Sequence, residues 1–369
     1  MRVPYNYLPR QFDAHEVDAI LQKLRAHALT GDFTLGAPVA EFERRFAAFL
    51  RARHVIGVSS GTDALILALR ALQIGPGDEV ITQVNTFYAT VGAIVEVGAT
   101  PGFVDVDETY SMDPDQLFRA VSSRTRAVIP VHWRGLPADM PAIQAALGSW
   151  RGIEIIEDAC PAAGASIGGR SVGLWGRLAA FSFHPLKPLH VWGDGGAVVT
   201  EDDALAAWLR RYRSHGLISR DEVGEWGVNR RLQTVQAVIA NHVLDRVRGW
   251  IERRTEIAAR LDHGLADVAG ISVPPRPADR VHAYQLYMVK AERRDALVAF
   301  LERDGVEAKI HYPIPLHLQP AAKGLGYGPG DFPVAEAQAR RIVTLPAHQY
   351  LSDAEVDFML ERVRAFYGA

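Results

Sequence analysis

The chain has 369 residues, 48% of them hydrophobic and 22% charged, which fits a folded enzyme with a large domain and a smaller one and excludes a disordered chain. A net charge of −3, with the basic residues scattered, argues against non-specific nucleic-acid binding. The single cysteine, Cys160, excludes an intrachain disulfide and a cysteine-based zinc site, as suits a reducing cytoplasm.

The chain starts MRVPYNYLPRQF, which has neither the charged start nor the apolar run of a signal peptide. No run of about 18 apolar residues follows, so no membrane span is expected. The first fifty residues hold two helical patterns expected to dock on the large domain. From Arg53 onward short apolar runs alternate with helical periodicity. Strands are predicted at Val55–Val58, Glu79–Thr82, Gly102–Asp105, Arg126–Val131, Ile153–Ile156, Ala179–Phe183 and Ala197–Thr200, with helices at Thr62–Leu72 and Tyr88–Val97. Near-continuous apolar strands between amphipathic helices indicate an α/β fold with a mainly parallel central sheet covered by helices on both faces. After Thr200 come a helix at Asp203–Tyr212, a polar loop at Arg213–Arg231 and a long helix at about Thr234–Leu261. HAYQLYMV and GVEAKIHY read as strands of a smaller C-terminal α+β domain. The boundary is placed near residue 250, giving 1–250 and 251–369.

Sites in such sheets gather at the carboxyl ends of strands. After the first strand, Ser59-Ser60-Gly61-Thr62-Asp63-Ala64 opens a helix. Small residues and free N–H groups there suit a phosphate, and the bland reading is an N-cap by Ser60 or Thr62. After Ile153–Ile156 come Glu157 and Asp158. A carboxylate there could meet a protonated pyridine nitrogen, or be a helix cap or a structural ion pair. After Ala179–Phe183 comes Ser182-Phe183-His184-Pro185-Leu186-Lys187-Pro188. A loop lysine is usually a solvated charge, but one held between prolines in an apolar segment can be desolvated, which lowers its pKa and makes it an imine-forming nucleophile. The glycines at 193, 195 and 196 that follow could let the backbone pass close to a ligand, and they do not form a dinucleotide pattern. No HExxH, P-loop or GxSxG occurs. His311 and His317 in HYPIPLH are poorly spaced for a metal pair, so structural or substrate-contact roles are expected, and no metal site is expected.

Together these stretches resemble the DegT/DnrJ/EryC1/StrS family of sugar aminotransferases, fold-type I pyridoxal-phosphate enzymes. The most specific piece is FSFHPLKPLHVWGDGGAVVT, supported in order by SSGTDAL, GDEVITQVNTFYATVGAI, IEDAC and GVNRRLQTVQA. The resemblance implies that Lys187 is the Schiff-base lysine and that Asp158 pairs with the pyridine nitrogen. It implies that Gly61 and Thr62, with Ser60 beside them, and Ser182 bind the cofactor phosphate, and that Phe87 stacks on the ring. Asn229 is implied to reach the phosphate in a partner subunit, hence a homodimer with shared sites. His184, Arg231, His311, Tyr312 and His317 are candidates for substrate contact, with Arg220 an alternative to Arg231. One position departs from the family: Pro161 stands where Gln or His often contacts the cofactor's phenolic oxygen. The implied reaction moves an amino group from glutamate or glutamine, through pyridoxamine phosphate, to a keto sugar, most often nucleotide-linked. Free keto-cyclitols and keto-sugar acids are alternative acceptors. A family dehydratase is the rival reaction, and such members tend to carry histidine at the position of Lys187.

Overall fold

The apolar runs form strands because their branched side chains pack on both faces of a pleated layer. The computed structural model describes residues 1–369. In chain order the strands of the first 200 residues are β1 (His54–Val58), β2 (Glu79–Gln83), β3 (Thr100–Val104), β4 (Thr125–Ile129), β5 (Glu154–Asp158), the short β6 (Ser166–Ile167) and β7 (Arg170–Ser171), β8 (Leu178–Ser182) and β9 (Gly196–Thr200). Seven of them form one sheet in the order β1-β9-β8-β5-β4-β2-β3. Every neighbouring pair is parallel except the two that β9 makes with β1 and β8. The carboxyl ends of β1, β2, β4, β5 and β8 therefore open on one edge, and β9, running the other way, starts there at Gly196.

Alternate residues of these strands feed separate cores, as a period of two requires. Val55, Phe181, Ala197 and Val199 pack under α1 (Ala14–Ala28), α2 (Ala37–Leu50) and later helices. Ile56, Ala180 and Val198 pack on the other face under α3 (Gly61–Ala71), α4 (Tyr88–Glu96) and further helices. Ile81, Val104 and Val128 are covered by α5 (Pro114–Ala120) and α6 (Met140–Leu147). Beyond α7 (Asp203–Tyr212) comes α8 (Thr234–Val243), then a 3-10 turn at Leu244–Arg246, then α9 (Val247–Leu265). The long helix read from sequence is thus two, and it runs on to Leu265. The start of α9, with Val247 and Ile251, belongs to the large core, whereas Ile257, Leu261 and Leu265 belong to the small one.

The smaller unit holds β10 (Ile271–Ser272), β12 (Tyr287–Ala291) and β13 (Ile342–Leu345) in an antiparallel sheet, while β11 (Arg280–Val281) pairs with β6 of the large unit. Helices α10 (Arg294–Arg303), α11 (Pro333–Arg341) and α12 (Asp353–Tyr367) complete it.

Four local expectations change. Strand β5 runs on through Glu157 and Asp158. Only the end of HAYQLYMV is a strand, because residues before Tyr287 spend their N–H groups on the large domain: Ala283 donates to Gly135 O at 2.9 Å and Leu286 to Arg134 O at 3.2 Å. GVEAKIHY forms no strand and makes two isolated bridges, Val306 with Val3 and Lys309 with Thr344. The first residues do not follow α1 and α2 onto the large domain, since Val3 is buried in the small core. No helix is long and apolar enough to cross a membrane.

Candidate active site

Between the strand ends and the small unit lies a cleft of about 270 Å³. On it stands Asp158, the last residue of β5, only 4% exposed. Thr90, in the first turn of α4, donates its hydroxyl to Asp158 Oδ2 at 2.8 Å. The Cys160 N–H donates to Oδ1 at 3.2 Å. The Thr86 hydroxyl lies 3.0 Å from that of Thr90 and can donate to it. A buried carboxylate needs such donors, and these orient it.

Glu157 points the other way, as alternation along a strand demands. It is fully buried and accepts from the N–H groups of Gly173 (2.7 Å), Trp175 (2.6 Å) and Gly176 (2.8 Å), with His132 Nε2 at 2.9 Å. The two adjacent acids are therefore divided: Glu157 ties an internal loop, and Asp158 serves the cleft.

Lys187 lies in the turn after β8. Its N–H donates to His184 O at 2.8 Å, His184 Nδ1 accepts from the Leu186 N–H at 3.2 Å, and the Gln11 amide donates to Pro185 O at 2.5 Å. His190 Nδ1 lies 3.2 Å from Lys187 O, so the turn is pinned on both sides of the lysine's Cα. Desolvation lowers the Lys187 pKa below its ordinary value, offset in part by Cys160 and Asp158 nearby. Burial, and then the Lys187 amine, likewise lower His184.

Ser60 caps α3, its hydroxyl accepting from the Asp63 N–H at 3.0 Å. The N–H groups of Gly61 and Thr62, in the first turn, have no partner within the helix. Gly61 is needed by space: a Cβ there would lie 2.7 Å from Ser182 Cβ and 2.8 Å from Cys160 Sγ. The Ser182 oxygen accepts from the His184 N–H at 3.3 Å, which leaves its proton to donate. This cradle fits a phosphate, because free N–H groups, a helix N-terminus and hydroxyls converge without an intervening side chain. Amine, carboxylate and cradle together fit pyridoxal phosphate. The close approach at Gly196 is of another kind than expected: a Cβ there would meet Ser60 O at 2.4 Å, so this glycine serves strand packing.

Phe87, at the N-cap of α4, stands over the cleft, its ring 6.2 Å from that of Tyr312. Tyr312 in turn lies 5.6 Å from Trp133. His311 lines the same wall, and burial, helped by the Lys187 amine, lowers its pKa to about 4.

The fold thus brings Ser60, Gly61, Thr62, Phe87, Asp158, Ser182, His184, Lys187, His311 and Tyr312 to one cleft. Of the two roles expected for His317, substrate contact gives way to the structural one, because its side chain does not line the cleft. It is buried at 4% exposure behind the cleft, with Nε2 3.1 Å from Glu336 and its ring against Phe332, because the turn at Leu316–Leu318 directs it inward. Asn229 and Arg231 also lie outside this chain's cleft, bonded to each other at 2.9 Å, and Arg220 is exposed. Pro161 lines the cleft beside Cys160. Sequence reasoning missed Tyr5, Thr90 and Trp133. Trp133, just past β4, was within reach of the strand-end rule. Thr90 and Tyr5 carried no local signal.

The model of the DegT/DnrJ/EryC1/StrS aminotransferase family matches residues 14–364. A dTDP-3-amino-3,4,6-trideoxy-alpha-D-glucose transaminase of Streptomyces venezuelae is 39% identical over 98% of this chain and 96% of its own length. The crystal structure of DesV from S. venezuelae with a ketimine intermediate superposes with a TM-score of 0.96 at 38% identity, covering 100% of this chain and 99% of that one. NtdA of Bacillus subtilis, solved with its cofactor PMP bound, superposes with a TM-score of 0.93 at 29% identity, covering 100% of this chain and 86% of that one.

Proposed function

The chain belongs to the DegT/DnrJ/EryC1/StrS aminotransferase family and is a pyridoxal-phosphate-dependent aminotransferase, and from that premise we propose that it moves an amino group from glutamate to a nucleotide-linked keto sugar. The observation that carries the reading is the meeting of the Lys187 amine, the oriented Asp158 carboxylate and the α3 cradle on one cleft.

The bound cofactor supplies an aldehyde that takes up the amine and an electron-poor ring that spreads negative charge. The residues do the rest. The first turn of α3, with Thr62 and Ser182, takes the phosphate. Asp158 holds a proton on the ring nitrogen, and Thr90 and the Cys160 N–H keep that carboxylate aimed. Phe87 covers one face of the ring. Lys187 would hold the cofactor through its amine. Once free, that amine would move the proton at the donor Cα, as base and then as acid, a role worth typically about 10²- to 10⁴-fold. Desolvation favours the neutral amine that this needs. The sugar runs the same proton transfers in reverse.

The aromatic wall of Trp133 and Tyr312 suits the apolar face of a sugar ring. The name of the Streptomyces relative supports a dTDP-linked acceptor. Lys187 is the only lysine or arginine lining the cleft, so a donor carboxylate or sugar phosphate needs a cation from elsewhere. The Asn229–Arg231 pair, outside its own cleft, would supply it to the partner site of a homodimer. Lysine rather than histidine at 187 favours transamination over dehydration.

The test is spectroscopic. Glutamate should bleach the visible absorbance of the lysine-bound cofactor, and a dTDP-linked 3-keto sugar should restore it and yield an amino sugar. Lys187→Ala should lose both the absorbance and turnover. Wild-type turnover in that variant, or a deoxygenated product from the native enzyme, would overturn the assignment.

A further inference from the structure

Two residues of the cleft, Tyr5 and His311, have no part in these steps. Their rings stack with centroids 5.5 Å apart and planes at 29°. The Tyr5 hydroxyl stands 3.5 Å from His311 Nε2. That separation is at the long limit of a hydrogen bond, so both polar atoms keep capacity for a third partner. The other ring nitrogen is engaged, with His311 Nδ1 2.9 Å from Thr344 Oγ1. Thr344 is fully buried on β13 and exchanges both backbone hydrogen bonds with Lys309, at 2.7 and 2.9 Å. The direction of Nε2 is therefore set by the small domain.

Tyr5 is delivered from the opposite end of the chain. The Val3 N–H donates to Gly305 O at 2.8 Å, the Glu307 N–H donates to Val3 O at 3.0 Å, and the Tyr5 N–H donates to Glu307 Oε2 at 3.0 Å. Further along the same segment, Gln11 donates to Pro185 O, two residues before Lys187. The N-terminal segment thus ties the small domain to the lysine turn and places a phenol between them.

Burial and the Lys187 amine keep His311 neutral at neutral pH, and burial raises the pKa of the Tyr5 phenol. A neutral pair offers one donor and one acceptor. It matches a hydroxyl and offers a carboxylate no compensating charge. The donor amino acid carries carboxylates, whereas a sugar carries hydroxyls beside its reacting carbon.

We propose that Tyr5 and His311 form a specificity-determining subsite that binds one hydroxyl of the sugar acceptor beside the reacting carbon and takes no part in binding the amino-acid donor. The sugar hydroxyl accepts from Tyr5 and donates to His311 Nε2. This deepens the reading of the enzyme as a sugar aminotransferase and rests on it.

The experiment compares half-reactions of the holoenzyme and its Tyr5→Phe variant, which keeps the ring and loses only the hydroxyl. The probes are glutamate and dTDP-3-amino-3,4,6-trideoxy-alpha-D-glucose, the sugar amine in the name of the Streptomyces relative, run in the reverse direction, each followed by loss of the lysine-bound absorbance. Tyr5→Phe should leave the glutamate half-reaction within about twofold, and lower kcat/KM for the sugar amine about tenfold, mostly through KM. The thermal midpoint and cofactor absorbance should stay unchanged. An equal loss with both probes, no loss with the sugar amine, or a loss of cofactor binding overturns the subsite. If the unaltered enzyme responds to glutamate but to no sugar amine, the sugar reading itself fails, and the subsite with it.

Discussion

The Thr90 hydroxyl donates to Asp158 Oδ2 at 2.8 Å, across 68 residues of chain. The first turn of one helix thereby aims the carboxylate at the end of another strand. Thr90→Val keeps the shape and removes the donor. Such a bond is worth about 1 kcal/mol, so cofactor affinity should fall roughly five- to tenfold. Titrating the apo-enzyme with pyridoxal phosphate measures this, and unchanged affinity would show that the carboxylate needs no help to stay in place.

Asp158→Ala removes the carboxylate itself. It should weaken cofactor binding and slow proton transfer together, read as a higher dissociation constant and a slower glutamate half-reaction. A variant with native affinity and rate would remove Asp158 from the site.

The neighbouring acid should behave oppositely. Glu157→Ala leaves the N–H groups of Gly173, Trp175 and Gly176 and the His132 ring without their acceptor. Breaking such a buried set costs about 3 kcal/mol or more. The apo-protein should unfold at a clearly lower denaturant midpoint, whereas Asp158→Ala should move that midpoint little. Equal effects of the two substitutions would contradict the division of roles.

Gly61→Ala places a methyl group 2.7 Å from Ser182 Cβ and 2.8 Å from Cys160 Sγ. Overpacking of this kind costs about 1–3 kcal/mol. It also fills the cradle, so phosphate-bearing cofactor should lose more affinity than phosphate-free pyridoxal. Competition between the two ligands separates this outcome from simple destabilisation.

His190, His311 and His348 are each drawn by burial from 6.5 to about 4. Below pH 6.5 the unfolded chain takes up protons that the folded chain refuses. Stability should therefore fall as the pH drops from 6.5 to about 4, by up to about 1.4 kcal/mol per histidine per pH unit. Urea midpoints of the apo-protein across that range test it, and a midpoint flat between pH 6.5 and 4.5 would contradict the buried, neutral state of these rings.

Much of the site was legible from residue type and spacing. The small residues opening α3, the acid ending β5 and the lysine between prolines after β8 are each local, and the strand-end rule points to them; taken singly each also fits a cap, an ion pair or a solvated charge, and the family resemblance joins them into one site. For His317 the sequence left a structural role and substrate contact both open, and the 3-10 turn at Leu316–Leu318 places the ring against Phe332, in the structural role. HAYQLYMV and GVEAKIHY have strand composition. Their backbone groups pair with the Trp133–Gly135 turn and with the N-terminal segment instead, a choice between partners that no local window contains.

By itself, then, the sequence determined the alternation of strand and helix, the mainly parallel sheet and the three chemical pieces at its edge. Periodicity, caps and breakers act within a few residues, and these suffice for such features. Tertiary structure alone decided how Glu157 is tied into an internal loop, which hydroxyl aims Asp158, and that Tyr5 from the far end of the chain lines the same cleft as Lys187. Those are contacts between segments distant in sequence, and they exist only once the burial of two cores has fixed where each element lies.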